Sequence, residues 1–295
     1  MIHENKEEFI KALGRASKKK GFLLPLMEKD YYLTIIMSKV HELSDGLIFK
    51  GGTCLNKVYY AYYRLSEDLD FSMKLPQYEA TRTERRKCIQ PIKDRIEKFV
   101  KQFGMKIDDA GNPGRNESKQ YVYYLIYQSA LRSVEAKIKF EIGLRFSPID
   151  PIEKHQIQHA FLHPFTGEVL FDGGKINCLS LNEIVSEKFR AAALRLKIAP
   201  RDFYDLDFIL RNNFDLTNKS VVGLIRKKLE EDKADTDLSK YRVNLGRPDT
   251  EINDMRSRIK EELFEVLTPK ERKNFDLTAA LKRINEAMEA LPLKQ

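Results

Sequence analysis

The stretch from Leu47 to Phe71, LIFKGGTCLNKVYYAYYRLSEDLDF, limits the possible folds more than any other part of this chain. Leu47, Ile48 and Phe49 read as a short buried strand. Lys50-Gly51-Gly52-Thr53 then breaks the pattern, because paired glycines supply backbone freedom and let a ligand approach the main chain closely. Helical spacing resumes over residues 54 to 63, which puts the Gly-Gly-Thr turn at a helix N-terminus, where outward-facing amides and the helix dipole stabilise a phosphate. Asp68-Leu69-Asp70-Phe71 reads as a second strand, with both aspartates on one face and Leu69 and Phe71 on the other. Adjacent carboxylates repel unless a cation lies between them. With oxygen ligands alone the natural cation is Mg²⁺, carrying a triphosphate.

The remaining chain supplies elements to flank this unit. Residues 4 to 13 predict a helix, followed by Lys18-Lys19-Lys20 and the breaker Gly21. A second helix is expected to start at Asp30 as N-cap and to bury Ile35, Ile36, Val40 and Leu43. Residues 84 to 103 carry Ile89, Ile92, Ile96, Phe99, Val100 and Phe103 at helical spacing, with a break or kink at Pro91. Asp108 to Gln120 reads as a loop before two strands, Tyr121 to Gln128 and Ala136 to Phe146. The second strand alternates: Ile138, Phe140, Ile142, Leu144 and Phe146 share one face, and Lys137, Lys139, Glu141, Gly143 and Arg145 the other. Asn182 to Lys197 predicts a helix, and Ala199-Pro200 turns into Arg201-Asp202-Phe203-Tyr204-Asp205-Leu206. Three apolar stripes follow: Val222, Ile225 and Leu229; then Met255, Ile259, Leu263 and Val266; then Leu277, Leu281, Ile284, Met288 and Leu291. The charged segment from Glu230 to Asp254 is expected to be mobile.

Lys-Gly-Gly-Thr followed by Ser-Glu-Asp-Leu-Asp-Phe resembles the AbiEii/AbiGii toxins, a nucleotidyltransferase branch found in bacterial abortive-infection and type IV toxin–antitoxin systems. The resemblance implies an α+β fold, a nucleotidyltransferase-like mixed sheet flanked by helices. It implies a catalytic lobe over residues 1–175 and a mostly helical lobe over 176–295 that completes the active-site cleft. It also implies Mg²⁺-dependent transfer of NMP from an NTP to an acceptor hydroxyl, most simply the 3′ end of tRNA, which blocks translation, and a cognate antitoxin as partner. In that scheme Asp68 and Asp70 bind the metal, and Lys50, Gly51, Gly52, Thr53, Lys57 and Ser66 hold the nucleotide. Glu141, in Phe140-Glu141-Ile142, corresponds to the third carboxylate that the superfamily places on a neighbouring strand. It completes the metal site or acts as general base; the alternative is an ion pair with Lys139 or Arg145. Lys188 and the Arg201-Asp202-x-x-Asp205 run resemble the family's two C-terminal motifs, with Lys188 and Asp205 catalytic and Arg201 and Asp202 at the nucleotide. The alternative there is a salt-bridged amphipathic helix capped by Asp202. The chain departs from the family pattern at Ile198, where an arginine is expected, and at Arg201, which replaces a lysine.

Composition enters at the partner. Of 295 residues 33% are charged, with a net charge of +8, which suits a polyanionic partner such as RNA. No run approaches a membrane span, and MIHENKEEF lacks the apolar core of a secretory signal. Cys54, Cys88 and Cys178 have neither metal nor disulfide spacing, so a cytoplasmic protein is expected. His155, His159 and His163 recur at four-residue spacing, but nearby prolines favour surface or packing roles over zinc. Two other readings stay open: a nucleotide-binding or partner-binding module without transfer activity, and a nucleotidyltransferase acting on a protein or small-molecule acceptor.

Overall fold

The structure is a computed structural model that describes residues 1–108 and 113–291. It divides into two compact units, Met1–Leu179 and Ser180–Gln295.

The first unit opens with α1 (Lys6–Lys20), which runs through the three lysines to a left-handed cap at Gly21, φ 78°. Cations in a last helical turn oppose the negative end of the helix dipole, so the basic run extends the helix. α2 (Leu24–Lys39) has Leu23 as its N-cap, seven residues before the Asp30 expected, and holds Asp30 in its interior, 1% exposed. Pro25 occupies the first turn, where its missing N–H costs nothing. β1 (Leu47–Lys50) leads directly into α3 (Gly51–Cys54), which continues as a π-helical turn over Leu55–Tyr59. β2 (Asp68–Met73) follows. α4 (Arg82–Lys101) passes through Pro91 and is started by a capping box in which Thr81 and Glu84 exchange hydrogen bonds. The loop expected at Asp108 to Gln120 falls partly outside the described residues. Its described part contains β4 (Gly114–Arg115), and β3 (Lys106–Ile107) precedes it. β5 (Gln120–Gln128) and β6 (Glu135–Gly143) form the antiparallel pair read from the sequence. β7 (Glu153–Gln156) and β8 (Lys175–Cys178) complete an eight-stranded mixed sheet, ordered β3-β5-β6-β2-β1-β8-β7 with β4 beside β5.

One face of the sheet is apolar. Leu69, Phe71, Ile138, Phe140 and Ile142 are fully buried, and Phe71 packs against Phe49 and Phe140 with ring centroids 5.4 and 5.0 Å apart. Tyr32 of α2 stacks on Tyr127 at 4.1 Å, and Lys93 of α4 lies over Tyr121 at 4.9 Å. Both tyrosines pair with apolar-face positions of β6, so the two helices cover this face. Period-two alternation leaves Asp68, Asp70 and Glu141 on the other.

The second unit is helical: α5 (Leu181–Leu194), α6 (Pro200–Arg211), α7 (Lys219–Glu231), α8 (Asp249–Glu262), α9 (Pro269–Asn274) and α10 (Leu277–Glu289). The charged stretch expected to be mobile is instead packed. Leu238, Tyr241 and Leu245, carried on two short 3₁₀ turns, are 2%, 7% and 1% exposed. Their irregular spacing matches neither helix nor strand, which hides them from a periodicity argument. Among the described residues no helix is long and apolar enough to cross a membrane.

Candidate active site

Strand register assembles the site. Lys50, Asp70, Glu141 and Val122 lie in one row across β1, β2, β6 and β5, and Asp68, Lys139 and Tyr124 form the adjacent row. β6 runs parallel to β2, so Glu141 stands directly beside Asp70 on the same face. Burial pushes the Asp70 carboxyl up to about 6, and the charges of Glu141 and Asp68 add to that; Lys139 and Lys50 offset part of it. Burial also pushes Glu141 up, but hydrogen bonds from Lys139 and Gln120, with the Lys50 charge, outweigh it and hold Glu141 below the usual carboxylate range. Glu141 neighbours Asp70, and it is ion-paired with Lys139 while accepting from Gln120 at 2.6 Å. Gln120 carries no local signal in the sequence, and only long-range strand pairing brings it to Glu141.

The glycine turn is shaped by what surrounds it. Gly51 has φ 76°, and a Cβ there would come within 2.7 Å of an Asp70 carboxylate oxygen. Any other residue at 51 meets both backbone strain and the aspartate. At Gly52 a Cβ would lie 2.5 Å from the guanidinium of Arg64 and 3.2 Å from the Ser66 hydroxyl. Arg64 is 2% exposed, donates to the Leu65 carbonyl at 2.8 Å, and places a buried positive charge behind the turn. It was missed in the sequence, where it precedes Leu65-Ser66-Glu67 without any pattern of its own. The Thr53 side chain is fully buried and its hydroxyl donates to the Asp68 carbonyl at 2.5 Å, tying the turn to the start of β2. That leaves the backbone amide, not the hydroxyl, as the Thr53 group available to an anion.

Lys57 corrects the sequence reading. Its ammonium is 0% exposed, 2.6 Å from Asp30, and donates to Thr34 and Tyr62 at 3.0 and 2.8 Å. Tyr62 in turn donates to Asp30 at 2.7 Å. A lysine neutralised inside the protein cannot counter a ligand's charge, so Lys57 holds the π-helical turn against α2. The expected N-cap Asp30 is its counter-ion.

The C-terminal motifs assemble within the second unit. Lys188 of α5 contacts Asp202 at 3.2 Å and the fully buried Asp205 at 2.8 Å, both on α6. Arg195 reaches Asp202 at 2.9 Å. Ile198, in the expected arginine's place, is buried at 3% exposure, so Arg195 supplies the second cation on Asp202. Asp202 lies in the first turn of α6 after Ala199, so it is not the cap, and Arg201 is half-buried beside it.

The three histidines do not align. His155 lies on β7 against Glu153 at 2.7 Å, His159 stacks on Phe171 at 4.2 Å, and His163 lies near Phe165. Among the described residues no group of three His, Cys, Asp or Glu side chains is arranged to hold a metal ion. Asp68 and Asp70 fit a cation that takes its other ligands from water and substrate, which is how Mg²⁺ is commonly held beside phosphates. The placement of Glu141 and Asp68 around Asp70, which adds to the effect of burial in raising its carboxyl, is the observation in favour of that fit.

The model of the family described as nucleotidyl transferase AbiEii toxin, type IV toxin–antitoxin system, matches residues 35–290. Among solved structures the chain is similar to MenT4, a nucleotidyltransferase toxin from Mycobacterium tuberculosis H37Rv. The identity is 17% and the TM-score 0.55, over 98% of this chain and 90% of that one. It is also similar to JHP933 from Helicobacter pylori, at 15% identity and TM-score 0.52, over 91% and 92% of the two chains. At such identity these likenesses show the fold. No curated protein matches the chain by sequence.

Proposed function

The chain belongs to the AbiEii nucleotidyltransferase toxin family of type IV toxin–antitoxin systems, and we propose that it transfers NMP from an NTP to the 3′ end of tRNA and so blocks translation. The observation that carries this reading is the in-register row of Lys50, Asp70 and Glu141 beside the Gly51 turn. Asp68 and Asp70 would hold Mg²⁺, which when bound supplies charge neutralisation to the phosphates. The amides of the Gly51–Thr53 turn face the triphosphate, and Lys50 and Arg64 add positive charge around it. Glu141 receives the proton of the acceptor hydroxyl as its oxygen attacks the α-phosphorus, and pyrophosphate departs from the opposite side. Release of Glu141 from Lys139 readies it for that role. Lys188 and Asp205 serve nucleotide use, as their motif implies. The activity belongs in the cytoplasm, where tRNA and NTPs are found, with a cognate antitoxin as partner.

The test incubates the purified protein with Mg²⁺, total tRNA and each α-labelled NTP, alongside Asp70→Asn. Label on RNA from one NTP, absent with the variant and without Mg²⁺, is the expected result. Label on protein or a small molecule would move the acceptor elsewhere, and NTP binding without transfer would support the binding-module reading.

A further inference from the structure

We propose that Tyr124 is the platform on which the terminal base of the acceptor nucleic acid stacks, an inference that rests on the transfer reading above and deepens it. In-line displacement requires the attacking oxygen and the leaving pyrophosphate on opposite sides of the α-phosphorus. The glycine turn leaves β1, on one side of the Asp68 and Asp70 strand. With the leaving phosphates there, the acceptor approaches from the other side, over β6 and β5. Glu141, the proton acceptor, is on β6, the first strand met in that direction.

The next strand, β5, presents Tyr124 in register with Lys139 and Asp68. Two strand spacings put it about 10 Å from Asp68 across the sheet. That matches a base one sugar away from the attacking hydroxyl. The other tyrosines of β5 belong to the packed face: Tyr121, Tyr123 and Tyr127 are 2%, 6% and 3% exposed, whereas Tyr124 is 37% exposed. Flanking it on the same face are Lys137, paired with Asp108 at 2.6 Å, and Lys139, whose partner is Glu141. Both remain partly solvated, with side chains 58% and 34% exposed, so their ammonium groups stay within reach of a sugar-phosphate backbone. An exposed aromatic ring beside two lysines of the neighbouring strand, on the face that carries the carboxylates, is the equipment of a single-strand binder. Stacking accepts any base, because every base has a π-face.

The experiment compares wild type, Tyr124→Ala, Tyr124→Phe and Asp70→Asn. The ligand is a hairpin RNA with a single-stranded 3′ end carrying 2-aminopurine as its last base. Binding without NTP is followed by fluorescence, and transfer by KM for RNA and for NTP. Stacking strengths predict a roughly tenfold to hundredfold rise in KM for RNA with Tyr124→Ala, with KM for NTP unchanged. Quenching of the 2-aminopurine should appear in wild type, Tyr124→Phe and Asp70→Asn and be lost in Tyr124→Ala. Equal KM and quenching in Tyr124→Ala and wild type would overturn the proposal, as would a rise in KM for NTP alone, which would make the ring a nucleotide platform. Quenching in wild type without any transfer would fail the transfer reading while leaving the stacking site standing. A protein labelled in place of RNA, with no quenching, would remove both.

Discussion

Asp205 is fully buried and Asp70 half-buried, and their surroundings treat charge in opposite ways. Asp205 faces Lys188 at 2.8 Å, and Asp202 beside it is held by Lys188 and Arg195. Asp70 has Glu141 and Asp68 around it, and its carboxyl rises to about 6 because burial and those carboxylates outweigh Lys139 and Lys50. Matched charges stabilise a helix pair whether or not a ligand arrives. Unmatched ones are relieved by taking up a proton or by a bound cation. That difference is why the proposed chemistry is placed on the sheet, while the helical cluster needs a demonstration of its own.

The sharpest way to break that comparison is Asp70→Asn. Transfer should fall by at least about 100-fold, since several kcal/mol of charge stabilisation disappear. The metal-free melting temperature should hold or rise, because a repelled charge has gone. Wild-type turnover in this variant would end the metal assignment. Next in size is Lys57→Met, which strands Asp30 inside the first unit; breaking a buried pair costs about 3–5 kcal/mol. Urea unfolding should show that loss, while KM for NTP in the folded protein stays put. Lys188→Met comes third. Arg195 still holds Asp202 but Asp205 loses its 2.8 Å ion pair, so stability falls as well, and KM for NTP should rise roughly tenfold, the effect of losing one charge-assisted contact. A change in melting temperature alone would make Lys188 structural.

The smallest effect is in pH. Asp70 binds its proton more tightly folded than unfolded, where its ordinary value is 3.8. Metal-free stability should therefore decline as pH rises from about 4 through about 6 and level off above. The same thermal scans on Asp70→Asn should lack that component, and Mg²⁺ should diminish it in wild type. A wild-type profile that rises over this window would contradict the crowding of the carboxylates.

The sequence made some of this readable and hid the rest, for physical reasons. Glycines and alternating carboxylates leave local signatures, so Gly51, Asp68 and Asp70 could be found from spacing, and the alternation of Ile138, Phe140 and Ile142 exposed β6. That Glu141 stands beside Asp70 came from a family resemblance, because register between strands some seventy positions apart leaves no local trace. Lys57 was misread because three residues of a helix after a glycine turn say nothing about whether Asp30 closes over it. Asp30 was misread because aspartate at a helix start is common, and aspartate inside a buried helix stands only with a cation.

The parallel pairing of β2 and β6 has a consequence for synthesis. A crossover through α4 and the β5 hairpin is needed before the two strands can align, so Glu141 cannot join Asp70 until the chain has been made past Gly143. A ribosome making this protein reaches Glu141 only 71 positions after Asp70, in a first unit that ends at Leu179, so the glycine turn and both aspartates exist for that interval without the third carboxylate beside them. If Glu141 is the proton acceptor proposed above, the producing cell meets an incomplete site during translation, and the need for restraint begins only once β6 has paired with β2.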